Sequence, residues 1–155
     1  MSITTTTHLN FRGDARAALE FDQRVFGGDL TVNTYGDFGM PEGAPGADSI
    51  VFGQVESAAG FRIMAYDIPG QSGGSSATAA MTRRENGTTI TTQPFFVSLS
   101  GETLDEVQAY WQKLSAGATI VEPLAASAWS PGFGMLTVSF GVAWTIGVTP
   151  THQAG

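Results

Sequence analysis

His8 is the side chain here best suited to move a proton near neutral pH, and a carboxylate at Asp67 or Glu56 would orient it if the fold brought one alongside. An imidazole fixed in this way acts as a general base without a metal. One satisfied by a backbone carbonyl or by water has only a structural role, and both readings stand at this point. The second histidine, His152, falls in the terminal T-H-Q-A-G, where chain ends fray. Cysteine is absent, which excludes disulfides, thiolate nucleophiles, iron-sulfur clusters and Cys-based zinc sites. A catalytic divalent ion takes about three protein ligands from His, Asp, Glu and Cys, a set that two histidines make hard to fill. Gly70-Gln71-Ser72-Gly73-Gly74 satisfies the G-x-S-x-G pattern of a nucleophile elbow, but the S-S-A-T-A-A that follows is flexible by composition rather than helix-forming.

The elements that must position these groups are written twice. Leu9 to Gly28 and Val97 to Gly117 each read as a short apolar strand, a Gly-acid turn and an amphipathic helix, with Leu9, Phe11 and Gly13 falling on Val97, Leu99 and Gly101. A long period present only twice is a duplication rather than a solenoid, and two half-sized copies imply a cleft between them. The first helix carries Ala15, Ala18, Leu19, Val25 and Phe26 on one stripe. The second opens on Thr103 and Glu106, the spacing of a capping box, and stops at Gly117. Strands are expected over 30–35, 49–56 and 62–66 in the first half, and over 119–122, 135–140 and 144–148 in the second. The boundaries follow: a β-α-β-β-β module over 1–68, a linker or lid over 69–93, a second module over 94–150 and a tail over 151–155. Asn86-Gly87 sits inside the linker as a hairpin turn signal.

Strand alternation assigns faces. Leu9 and Phe11 turn to the helix, so Thr6, His8 and Asn10 turn to the cleft, as do Pro94, Phe96 and Ser98 in the second copy. Trp144 and Ile146 face the helices, leaving Thr145 and Gly147 to the cleft.

Fourteen carboxylates against seven Lys and Arg give a net charge of −7, which repels phosphate backbones and acidic lipid surfaces. Nucleic acid and membrane are therefore excluded as expected partners. The opening M-S-I-T-T-T-T-H has neither a basic nor an apolar leader region, and a cytoplasmic location is expected.

L-N-F-R-G-D-A-R-A-A-L-E-F-D-Q-R-V-F-G-G-D-L (Leu9 to Leu30) and W-S-P-G-F-G-M-L-T-V-S-F-G-V-A-W-T-I-G (Trp129 to Gly147) resemble the opening and closing segments of the glyoxalase/bleomycin-resistance, or vicinal oxygen chelate, superfamily, and within it the PhnB-like branch. The resemblance implies an α+β fold of two tandem βαβββ modules forming a curved mixed sheet, and a homodimer. Enzymes of that superfamily hold one divalent metal on the concave face, and the corresponding positions here fall on Thr6, Pro94, Gly147 and either Tyr66 or Asp67. Strand three of the branch often carries H-x-E, where this chain has Phe52-Gly53-Gln54; Asp22 stands where an aromatic is common. Members are often described as methyltransferases, yet no glycine-rich turn for a methyl-donor cofactor is present.

The expectation is a metal-free, cofactor-free pocket for a small organic molecule, walled by His8, Asn10, Gln54, Asp67, Phe96, Trp129 and Met135, with His8 as the candidate acid-base group. Two alternatives stand beside it. One is a metal-dependent lyase, isomerase or dioxygenase using His8, Glu56 and Asp67; the other is a structural dimerisation module with a vestigial pocket.

Overall fold

Apolar and polar residues alternate along Thr7–Phe11 (β1), and the fold buries Leu9 and Phe11 while leaving His8 and Asn10 exposed. This computed structural model describes residues 2–74 and 81–149. The chain divides into two units, Met1–Ser75 and Ser76–Gly155. The expected tail with His152, and residues 75–80 of the polar stretch, lie outside the described residues.

In the first unit β1 is followed by the helix Ala15–Phe26 (α1) and the strands Asp29–Thr34 (β2), Ile50–Glu56 (β3) and Arg62–Asp67 (β4). The sheet order is β1-β4-β3-β2. β1 runs parallel to β4, and the other pairs are antiparallel. Most of the stripe read from the sequence is the packed face of α1: Ala15, Ala18, Leu19 and Val25 are buried, together with Phe21 and Asp22, against Val55, Ile63 and Ala65 of the sheet, whereas Phe26 is half-buried and stacks on Phe61. The sharp return after α1 needs glycine. Gly28 has φ +93°, and a Cβ there would lie 2.3 Å from the carbonyl oxygen of Glu56.

In the second unit a two-stranded hairpin, Thr82–Glu85 (β5) and Thr88–Thr91 (β6), precedes the module Val97–Gly101 (β7), Leu104–Leu114 (α2), Thr119–Ala125 (β8), Phe133–Thr137 (β9) and Ala143–Val148 (β10). Its sheet order, β7-β10-β9-β8, repeats the first with the same parallel closing pair. The cap forms, with Thr103 Oγ1 accepting from the Glu106 amide at 3.2 Å, whereas Glu106 Oε2 reaches past the Thr103 amide to accept from that of Glu102 at 3.1 Å. Trp144 and Ile146 are buried on the helix side, as alternation requires. The strand expected to run to Phe140 ends at Thr137, because the Val138 amide turns back to the Val142 carbonyl through Gly141 at φ +85°.

The α+β arrangement of two βαβββ modules is the one the resemblance implies. The stretch expected to be a linker or lid contains the β5–β6 hairpin, with Asn86 at φ 50° and Gly87 at φ +76°. Both central residues of a two-residue type I′ turn need positive φ, which is why Asn-Gly is its strongest sequence signal. No helix among the described residues is long and apolar enough to cross a membrane.

Candidate functional site

Each sheet has one face under its helix and one face without it, and the second is where polar side chains collect. In the first unit, register places His8 opposite Met64, Met64 opposite Gln54, and Gln54 opposite Thr31. Asn10 lies opposite Tyr66 one pleat further along. His8 Nδ1 is 3.2 Å from Asn10 Oδ1, and the imidazole meets the Tyr66 ring edge-on with centroids 5.3 Å apart. With the amide oxygen as acceptor, Nδ1 carries the proton and Nε2 keeps its lone pair. His8, Asn10 and Gln54 thus share one surface.

Asp67 does not share it. It alternates with Ile63 and Ala65 on the helix side and is 2% exposed. Its Oδ1 accepts the amides of Gly13 and Ala15 at 2.9 and 3.0 Å, and its Oδ2 accepts that of Ile50 at 2.8 Å. The carboxylate joins the starts of α1 and β3, and every bond it makes is to backbone. Glu56 is on the His8 face but pairs with Arg62 and accepts from Gln54 Nε2 at 3.0 Å. Two strand spacings, about 10 Å, separate its strand from that of His8. The dyads His8–Asp67 and His8–Glu56 therefore do not form, and neither does the rearranged ligand set His8, Glu56 and Asp67. Among the described residues no three His, Asp or Glu side chains converge as metal donors, so the residues present do not fit the divalent ion that the resemblance implies for enzymes of this fold.

In the second unit, Glu122, Met135, Thr145 and Ser98 form the corresponding row across β8, β9, β10 and β7. Phe133, Met135 and Thr137 follow one another on the helix-free face of β9. Thr137 is 2% exposed, and its Oγ1 has no hydrogen-bond partner, the one such buried side-chain atom among the described residues. Trp129 lies in the loop before β9, 60% exposed, with its ring tilted 58° against Phe133 at 4.7 Å. Phe96 is half-buried, one residue ahead of β7. Met135 is buried, and the β5–β6 hairpin lies beside it: Thr89 Oγ1 reaches Met135 Sδ at 3.6 Å, Arg84 Nη1 donates to Thr89 Oγ1 at 2.8 Å, and Arg84 Nε donates to Glu122 Oε2 at 3.3 Å.

Arg84, Thr89, Glu122 and Thr137 were not among the expected site residues. A two-residue turn at Asn86-Gly87 makes Glu85 and Thr88, then Arg84 and Thr89, cross-strand partners, so the pairing of Arg84 with Thr89 had a sequence signal. The surface on which the hairpin lands had none.

A separate cavity of about 260 Å³ opens in the first unit between the β2–β3 connection and the segment after β4, lined by Tyr35, Met40, Pro45, Ser49, Ile68 and Gln71 among others. Tyr35 donates its hydroxyl to the Asp67 carbonyl at 2.8 Å. Desolvation raises its pKa, and Tyr66 and Asp67 add to the rise. Within α1, burial alone lifts the Asp22 carboxyl from 3.8 to about 7.

The family model of the Glyoxalase/Bleomycin resistance protein/Dioxygenase superfamily matches residues 6–146. Comparison with curated proteins finds no match. Among solved structures, the chain is similar to protein PA1353 from Pseudomonas aeruginosa, at 25% identity and a TM-score of 0.71, covering 95% of this chain and 98% of that one. It shares the fold of the PhnB protein from Bacillus cereus, at 19% identity and a TM-score of 0.65, covering 95% and 100%. It also shares that of a glyoxylase/bleomycin resistance protein/dioxygenase domain from Frankia sp. EAN1pec, at 15% identity and a TM-score of 0.62, covering 99% and 96%.

Proposed function

The chain belongs to the Glyoxalase/Bleomycin resistance protein/Dioxygenase superfamily, and from that premise we propose that it is a PhnB-like member that binds a small organic molecule on the helix-free face of its sheets without a resident metal. The observation that carries this reading is the Thr137 hydroxyl, buried and unpartnered on the face of β9 that also carries Met135 and, further along, Phe133. A buried hydroxyl without a partner costs about 1–3 kcal/mol, and folds retain such a group where another molecule satisfies it. Apolar Phe133 and Met135 along the same strand face as one unsatisfied polar atom are the ingredients of a small-molecule wall, where area gives affinity and the polar group fixes orientation.

His8 supports a second step on the same reading. With Nδ1 donating to Asn10 Oδ1, Nε2 keeps its lone pair, and His8 can then accept a proton from a ligand bound on the first sheet. Asn10, Gln54, Phe96 and Trp129 complete the proposed wall, whereas Asp67 has a structural part. Assembly as a homodimer in the cytoplasm belongs to the same proposal and rests on the family resemblance.

Native mass spectrometry of protein purified without chelators tests the reading. A co-purified organic molecule, lost in Thr137→Val, is the expected result. Stoichiometric transition metal by elemental analysis would overturn the metal-free part, and a monomer mass by light scattering at micromolar concentration would overturn the dimer.

A further inference from the structure

Seven cationic side chains serve a chain with fourteen carboxylates, so a guanidinium turned toward an apolar wall is a pointed use of a scarce residue. Three cations lie among the described residues of the second unit. Arg83 points away on the opposite side of its strand and pairs with Glu85, both about half exposed. Lys113 sits over the Tyr110 ring on α2. Arg84 alone is held against the sheet, its side chain 27% exposed, with Glu122 at 3.3 Å and Thr89 at 2.8 Å.

Those two bonds use Nε and one N–H of Nη1. Nη2 has no protein partner among the described residues, so the outer edge of the guanidinium fork stays open. Glu122 is 41% exposed and takes a single, long contact on Nε; a partly exposed pair of this kind holds little, and a carboxylate that engages the Nη edge in a bidentate pair adds beside it, its charge set against that of Glu122. Through Thr89 the fork lies close to Met135, and Phe133 stands about 7 Å along the same face of β9. Met135 itself is buried under the hairpin, so an anionic head at Arg84 puts its apolar body along the face toward half-buried Phe133, with exposed Trp129 at the rim.

We propose that Arg84 is the specificity residue of the pocket and that the ligand is a small aromatic carboxylate, its carboxylate on the Arg84 fork and its ring on Phe133 and Trp129. This rests on the pocket reading above and adds the chemical class of the ligand. The guanidinium is planar and rigid, matching a carboxylate better than a tetrahedral phosphate or a neutral amide. Glu122 holds the fork in place while the pocket is empty, and its negative charge opposes that of the ligand when it is filled.

Titration with benzoate, benzamide and phenyl phosphate, followed by calorimetry and by the ¹⁵Nε resonance of Arg84, tests this. Benzoate should bind at least about tenfold tighter than benzamide and shift the Arg84 resonance. Arg84→Gln should erase that preference, Arg84→Lys should keep only part of it, and Glu122→Gln should tighten benzoate. The Asn86 and Gly87 amide shifts show in each variant whether the hairpin stays folded. If benzoate and benzamide bind alike in wild type and in Arg84→Gln, the pocket stands and the role of Arg84 falls. If Glu122→Gln weakens benzoate, Arg84 is only a hairpin staple and the inference is wrong. Tighter phenyl phosphate overturns the carboxylate assignment, and no binding of any probe removes the pocket reading as well.

Discussion

Asp67 Oδ1 accepts the backbone amide of Ala15 at 3.0 Å, so the last residue of β4 caps a helix that begins 52 positions earlier. Asp14, at the cap position itself, makes no side-chain cap bond. The first unit thereby places its helix start, the end of β1 and the start of β3 on one carboxylate. Removing that carboxylate leaves three amide donors without their acceptor. Asp67→Ala should lower unfolding stability by about 3 kcal/mol in urea titrations, and Asp67→Asn by less, because its amide oxygen still accepts.

Asp22 makes stability depend on pH in the opposite sense to a salt-bridged acid. Its folded pKa, about 7, lies above the unfolded 3.8, so the folded state holds the proton more tightly. The contribution of Asp22 to stability is greatest below pH 3.8, falls as pH rises toward 7, and is level above. The fall is at most about 4 kcal/mol for a shift of roughly three units. The elements packed on α1 present Leu30, Val32, Gly53, Val55, Ile63, Ala65 and Asp67 to it, and Asp67 sits at the far end, against Ala15. Asp22→Leu should therefore be more stable than wild type at pH 8, with the gain shrinking toward pH 4, as thermal melts across that range will report.

Thr137→Val separates binding from folding. Deleting a hydroxyl that has no protein partner should leave the empty protein as stable or up to about 1 kcal/mol more stable. The same change should weaken any ligand that uses the hydroxyl. A variant with a raised Tm and lost affinity is the expected pair of results; loss of stability would mean that the hydroxyl serves the fold.

Gly28→Ala should be severe for two reasons that add. The residue sits at φ +93°, and the new methyl would meet the Glu56 carbonyl at 2.3 Å. A loss of about 3 kcal/mol or more is expected, against a smaller loss of about 1 kcal/mol for Gly39→Ala, which shares the positive φ and meets nothing within 4 Å. Equal losses at the two sites would assign the effect to backbone strain alone.

Local rules carried the fold. Alternation at Leu9 and Phe11, the helical stripe from Ala15 to Val25, the Thr103 cap on the Glu106 amide and the Asn86-Gly87 turn each act over a few residues, and each is present where the chemistry demands it. Asp67 was harder, because a carboxylate at a strand end reads as a site residue. Its parity with Ile63 and Ala65 put it on the helix side, and buried amide donors there stand in for the solvent it loses. Arg84 was not legible as a site residue. Turn chemistry sets its partner across the hairpin, but which sheet the hairpin lies on depends on contacts distant in the chain, such as that with Glu122.

The β5–β6 ladder joins no third strand, and a lone two-stranded ribbon has little stability of its own. Its side chains can therefore be rewritten without disturbing the ladders of β7 to β10. That makes it an exchangeable cassette, through which the preference of the wall beneath can drift while the framework stays intact.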